Sequence, residues 1–292
     1  MRFPLKLFAF IGLAFLIIGI GGLAYLFEKT DGFVEERSEF KHEQTIGANG
    51  IQHLSVEADY ADIIILPGKD SDIHVSFHGS ALKSMQNNVN FTAKKEPGDT
   101  AVIQALTHKK FNTGIDIPQL FDLINGELRS KLEITVPETL YRTIQVKSNV
   151  GSVRIESLQA QTVKITTDVG AVSVNGLKSE SLKVSTETGA MNIKDVSGAV
   201  ALEGGIGAIN LWLKELNGNV SIKSDVGAIG VKLPAPSAMR LDLKSDIGSS
   251  TVDLPNMTFT SNEDHDIQGS IGSNGPLLKI RSDIGGIAVG VR

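Results

Sequence analysis

The stretch "SDVGAIGVKL", Ser224–Leu233, has a near copy in "TDVGAVSVNG", Thr167–Gly176. In both, an acid and an aliphatic residue lead into a glycine, and alternating aliphatics lead out. Aligned on that glycine, the pattern recurs at Gly151, Gly170, Gly189, Gly207, Gly227, Gly248 and Gly285. The first five spacings are 19, 19, 18, 20 and 21 residues, and the last is 37. A period of this size marks a repeat architecture.

The columns beside the glycine are as regular as the glycine itself. Seven residues before it stand Ile144, Val163, Leu182, Val200, Val220, Leu241 and Leu278, and the position five before is aliphatic in every copy. Two residues after it the series runs Val153, Val172, Met191, Ile209, Ile229, Ser250 and Ile287, with Ser250 the single break; four after, every copy is again aliphatic. Each unit therefore predicts two short strands of period two hinged at the glycine. One unit cannot bury its apolar side alone. Stacked in register at about 4.8 Å per layer, like strands pair in parallel and aliphatic ladders fill the interior. The expected fold is all-β: a parallel β-solenoid with rungs of about 19 residues. The rival is an antiparallel meander with "DVGA" as its hairpin turn. A corner between strands needs either positive φ or room too tight for a Cβ, which gives the glycine column a structural role.

An earlier stretch, "LSVEADYADIII" (54–65), fits the same template if Ala61 takes the place of the glycine. Residues 71–136 differ, with longer strands such as "IHVSFHG" and "KLEITVP" and a short helix or loop at "IPQLFDLING". They read as an inserted antiparallel sheet or cap at the N-terminal end, and the repeat array proper as 141–292. "NMTFTSNEDHDIQGSIGSNGP" interrupts the array, with Gly272 a candidate extra copy of the corner. The chain closes on "IAVGVR", which reads as a last rung with no segment to cover it and so a route to self-association.

The 292 residues are 41% apolar and only 5% aromatic, with 30 glycines, a mix suited to a sheet-rich protein with many tight corners. Net charge is −5 with no long basic run, which argues against a nucleic-acid surface. Cysteine is absent, which excludes disulfides, thiolate metal sites and a thiol nucleophile.

Leu7–Phe27 is 21 residues without a charge, preceded by Arg2 and Lys6. At 1.5 Å per residue such a helix spans about 30 Å, one bilayer core. A cleaved signal peptide usually has a shorter apolar run ending in small residues, whereas this one ends in "AYLFEK". The expected layout is a cytoplasmic tail (1–6), a transmembrane helix (7–27), a polar stalk (28–50) and an extracytoplasmic domain (51–292). The density of positive charge before the helix favours the N-terminus inside. Without Arg2 and Lys6 the exported part keeps 26 basic against 33 acidic residues, which does not favour adhesion to an anionic polymer or lipid.

Two positions before the glycine lie Asn149, Asp168, Glu187, Gly205, Asp225, Asp246 and Asp283. Stacked carboxylates repel one another, and a divalent cation with oxygen ligands could relieve the repulsion, so Asp168, Asp225, Asp246 and Asp283 are metal candidates. The plainer reading is that each side chain accepts a hydrogen bond from a backbone amide two residues on and steadies its own corner. "NEDHD" (262–266) reads as a solvated loop before a metal site. His74 and His78 share one parity of a strand, without a ligand spacing. No nucleophile elbow, phosphate loop or kinase motif occurs, and no cofactor is implied. Polysaccharide-acting β-helices use paired carboxylates, but Glu156, Glu180, Glu187 and Asp195 form no defensible pair in sequence. Trp212, the one tryptophan, should point away from the core and is a candidate partner contact, with packing under a loop the alternative.

The units at 167–174, 224–231 and 282–289, of the form [ST]-[DN]-[VI]-G-x-[VI]-x-[VI], and the "LEITVP" at 132–137 resemble the bacterial β-strand-repeat adhesin family. A single N-terminal anchor before such a domain resembles the membrane-anchored branch of that family linked to the cell-envelope stress response of Firmicutes. The resemblance implies a solenoid-like domain outside the cell and transfers no catalytic or ligand residue. The function expected is a non-enzymatic interaction module whose partner is an envelope protein or cell-wall polymer. The alternatives are a polysaccharide-acting enzyme and a regulatory subunit of a stress-sensing two-component system.

Overall fold

The computed structural model describes residues 37–82, 89–107 and 130–292, together with Gly21 and Tyr25. The expected tail (1–6), almost all of the membrane helix (7–27), the first part of the stalk (28–36) and "IPQLFDLING" lie outside these residues. No helix among the described residues is long and apolar enough to cross a membrane.

The described chain is all-β. Neighbouring copies of the repeat pair in parallel and in register: Val163 lies between Ile144 and Leu182, and Val172 between Val153 and Met191. A hairpin meander would pair them antiparallel, so the rival topology is excluded. Each unit gives the strand before its corner to one sheet and the strand after it to the other. The two sheets share a single aliphatic core in which Ile144, Val163, Leu182, Val153, Val172 and Ile193 are wholly buried. Burying a Val, Leu or Ile side chain stabilises by about 1.5–3 kcal/mol, so the ladders dominate the stability of the stack.

The Ala61 unit joins the stack directly. Leu54 and Val56 pair with Ile144 and Val146, and Ile63 and Ile65 with Val153 and Ile155. Outside it lies one further parallel rung, made of Thr100–Thr107 and Lys131–Pro137. Asp72–Leu82 and Val89–Glu96 then close this end with antiparallel pairing.

Two expectations change at this end and at the other. Residues 37–47 are no stalk: Arg37–Gly47 is an eleven-residue strand antiparallel to Asp72–Leu82. Its polar composition hides two inward anchors, Ile46, which is buried, and Phe40, whose ring lies 4.9 Å from that of Phe77. The Ala93 amide donates to Gln44 Oε1 at 2.9 Å and ties the two sheets together there.

At the C-terminal end the order of rungs departs from the order of the chain. Leu277–Ile284 and Ile287–Val291 slide between the Gly227 and Gly248 units, so that Leu278 pairs with both Val220 and Leu241. The final strand is therefore paired on both sides, to Ile229–Leu233 and Ser250–Asp253, and the expected uncovered last rung is not the chain's last unit. The interruption at 255–275 makes this order available. It forms a hairpin, Thr258–Glu263 with Asp266–Ile271, that pairs antiparallel with Met239–Ile247 and returns the chain inward. Gly272 belongs to that return, against Ser237 O, and not to the corner column.

Candidate interaction surface

At each corner the glycine stacks on the glycine of the next rung. A Cβ on Gly170 would sit 2.1 Å from Gly151 O, and one on Gly189 would sit 1.9 Å from Gly170 O, both at φ 154°. No side chain survives such an approach to a carbonyl oxygen. The same contact runs through Gly207, Gly227, Gly285 and Gly248 in spatial order, and Gly151 rests on Ala61 O.

The corner amides are satisfied between rungs. Gly170 N donates to Thr188 O and Gly207 N to Val226 O, each at 2.9 Å. The acids two positions before the glycine are therefore not capping these glycine amides, contrary to the simpler sequence reading. Asp168, Glu187, Asp225, Asp246 and Asp283 stand exposed on the outer face, with Asp225 3.5 Å from Lys223 and Asn149 Nδ2 donating to Asp59 at 2.7 Å. Among the described residues no group of three or more His, Asp or Glu is placed to hold a metal ion.

One position before the glycine every copy but one, where Thr188 stands, offers an aliphatic residue that shares the parity of the core. The structure leaves it outside. The corner turns the chain before the second sheet can cover this side chain, and direct strand pairing aligns Tyr60, Val150, Val169, Thr188, Ile206, Val226, Ile284 and Ile247 in one ladder. Tyr60, Val169, Ile206, Val226, Ile284 and Ile247 are between 40% and 64% exposed, and they make up six of the ten large apolar side chains exposed among the described residues. Seven steps of about 4.8 Å give a ridge about 34 Å long. On its other flank Ala171, Ala190, Ala208 and Ala228 follow the glycines, so the apolar band widens rather than ending at the corner.

Beneath the ridge, three positions before the glycine, Ser148, Thr167, Thr186, Ser224, Ser282 and Ser245 form a buried hydroxyl ladder. Ser245 donates to Gly285 O at 3.1 Å and Thr186 to Gly170 O at 3.5 Å, which ties hydroxyls to the corner carbonyls. Sequence reading missed both this ladder and the exposed one. Each was visible as a column once the glycines were aligned, but period two alone assigns both to an undifferentiated core.

The remaining candidates are dispersed. Trp212 is half-buried on the outer face of the second sheet, paired with Lys194 on one side and Lys232 on the other. Asp264 and His265 form the exposed turn of the C-terminal hairpin, and their carbonyls accept from Ser250 N and Ser245 N. His74 Nδ1 contacts Thr45 Oγ1 at 3.2 Å with Asp70 3.2 Å from Nε2, while His78 contacts Ser76, so the two histidines do not converge. On the edge where rungs cross back between sheets lies an open cavity of about 700 Å³, lined by Lys178, Glu180, Lys214 and the pair Asp195–Arg292. The Arg292 guanidinium hydrogen-bonded to Asp195 holds its carboxyl below the usual carboxylate range.

The sequence profile of the Toastrack DUF4097 family matches residues 51–290, the span of the whole stack. The crystal structure of a putative cell adhesion protein from Clostridium sporogenes aligns over 87% of this chain and 100% of its own, at 11% identity and a TM-score of 0.45. That of a putative adhesin from Bacteroides fragilis aligns over 86% of this chain and 97% of its own, at 12% identity and a TM-score of 0.46. No curated protein matches the chain.

Proposed function

The chain belongs to the Toastrack DUF4097 family, and from that premise we propose that it is a non-enzymatic, adhesin-like interaction module held outside the cell by an N-terminal membrane helix. In this reading it is LiaG-like and serves the cell-envelope stress response, with an envelope protein or wall polymer as its partner. The observation that carries the proposal is the exposed corner ladder. A fold that buries its other aliphatic columns leaves this one largely in water along the stack, interrupted only by Thr188 and the half-buried Val150, and an exposed apolar row of that extent marks an interaction site. The uncharged run Leu7–Phe27 supports the anchor. Two of the four array acids considered for catalysis are held in ion pairs, Glu156 with Arg154 and Asp195 with Arg292, which suits a structural role for them better than acid–base chemistry.

The test is mild crosslinking of the full-length chain in cells, with and without a wall-active antibiotic. Recovery of a defined envelope partner supports the module. If that partner is a sensor kinase, the regulatory form of the reading holds. Hydrolysis of wall or capsule polymer by the purified chain, lost when array acids are changed to amides, overturns it.

A further inference from the structure

We infer that the corner ridge is a docking site for a cationic amphipathic polypeptide segment. The inference rests on the interaction-module reading and names the chemistry of the partner. The apolar part of the argument is the ladder itself, and the charge pattern on either side of it decides what can cover that ladder. In the column two positions before the corner the charged residues are all acids, among them Asp168, Glu187, Asp225, Asp283 and Asp246, whereas the column one after it is Ala, Ser or Gly in every glycine unit. Stacking places Asp283 between Asp225 and Asp246, because the last unit is intercalated there, so three carboxylates stand on consecutive rungs beside Val226, Ile284 and Ile247. The basic residues of this face, such as Lys223, Arg281 and Lys244, start two residues further from the corner.

This pattern selects among occupants. A second copy packed with its ridge antiparallel would bring its own acid row against this one, and like charges in adjacent rows repel. An anionic lipid surface or wall polymer is repelled for the same reason. Sugar recognition draws on aromatic platforms, and this ladder has one aromatic, Tyr60. A polypeptide with an aliphatic stripe bordered along one side by Lys or Arg matches the apolar band and the acid column at once. The ridge of about 34 Å accommodates about 22 residues of such a helix at 1.5 Å rise.

The experiment uses the purified full-length chain and fluorescence anisotropy of two labelled 18-residue peptides. One combines leucine and lysine at helical spacing; the other replaces every lysine with glutamate. Two triple variants accompany the natural sequence, Asp225→Asn/Asp283→Asn/Asp246→Asn and Ile206→Ser/Ile284→Ser/Ile247→Ser. All six positions carry exposed side chains, and among them only Asp225 is paired, to Lys223 at 3.5 Å, so the fold should persist, which far-UV circular dichroism checks. The Leu/Lys peptide should bind and the Leu/Glu peptide should not. Each triple variant should weaken binding at least tenfold, and the Asp variant should also flatten its salt dependence. No binding of the Leu/Lys peptide, equal binding of both peptides, or unchanged affinity in either variant overturns the inference. So does self-association in sedimentation that the Ile variant abolishes, since the ridge would then be covered by a second copy. A cellular partner that is still captured by both variants sinks this inference while leaving the interaction-module reading in place.

Discussion

Three residues before six of the seven corner glycines, one buried side chain carries a hydroxyl where its neighbours carry methyl groups, the exception being Gly204, and the six copies are not equivalent. Ser245 and Thr186 have corner carbonyls as acceptors, whereas the buried Oγ1 of Thr167 and Oγ of Ser224 and Ser282 have no hydrogen-bond partner among the described residues. A satisfied hydroxyl is worth about 1 kcal/mol net, and an unsatisfied one costs a comparable desolvation penalty. The column should therefore respond with opposite signs. Ser245→Ala should lower the unfolding free energy by about 1 kcal/mol or more, because it removes the bond and leaves Gly285 O without this donor. Thr167→Val, nearly equal in shape, should raise it by up to about 1 kcal/mol. Urea unfolding of both variants checks the pair, and a loss of stability in both would show that Thr167 is bonded after all. None of this was legible in the sequence, where Ser and Thr three places before a glycine read as ordinary strand-end residues. Hydroxyl geometry depends on which carbonyl the next rung presents, and that requires the stack.

The strand–corner–strand unit is where the sequence spoke most clearly. Columns of Ile, Val and Leu at fixed offsets from the glycine gave the two strands of each rung, and the same offsets placed Leu54, Val56, Ile63 and Ile65 on the unit whose corner is Ala61. Alternation also misled. It could not separate the inward aliphatics from the ladder of Val169, Ile206 and Ile247, which shares their parity but lies beyond the corner. Arg37–Gly47 went unread for the opposite reason, since only Phe40 and Ile46 betray its inner side in a strand whose outer residues are charged. The unit's weakest tolerance is at the glycine. Gly170→Ala puts a methyl carbon 2.1 Å from Gly151 O at φ 154°, and relief requires two rungs to move apart against their hydrogen bonds. The expected loss is large, about 3 kcal/mol or more, well beyond the exposed-surface range. Thermal unfolding measures it; a shift no larger than that of Ala171→Ser, on the exposed side of the same corner, would show that the stacking is looser than described.

For the molecule as a whole, the departure that matters is the order of the rungs. Nothing in the repeat specifies that the last copy should enter the stack before the one that precedes it in sequence. Apart from Ser250, every copy carries the same aliphatic columns, so the pattern alone fits either order nearly as well. The hairpin at 258–271 breaks the tie, because its antiparallel strands occupy the outer edge of Met239–Ile247 and leave the inner edge for the returning chain. The N-terminal end uses a related device, with the Ala61 unit enclosed between the Gly151 unit and a rung that follows it in sequence. Chain order and stability should then be uncoupled at the C-terminus. Terminal strands ordinarily fray and exchange their amides quickly. Here Ile287 N donates to Ser249 O at 3.0 Å, Arg292 N donates to Leu233 O at 2.9 Å, and Ile287 and Val289 are buried between two parallel neighbours. Native-state hydrogen exchange should find Ile287–Val291 protected as strongly as Ile229–Leu233 and more strongly than Thr258–Glu263, although the hairpin comes earlier in the chain. A protection gradient that falls steadily from residue 220 to residue 292 would instead place the last unit at the open end, in sequence order. It would also exchange the last two rungs of the ridge, bringing Ile247 and Asp246 against Val226 and Asp225 and leaving Ile284 and Asp283 at the open end.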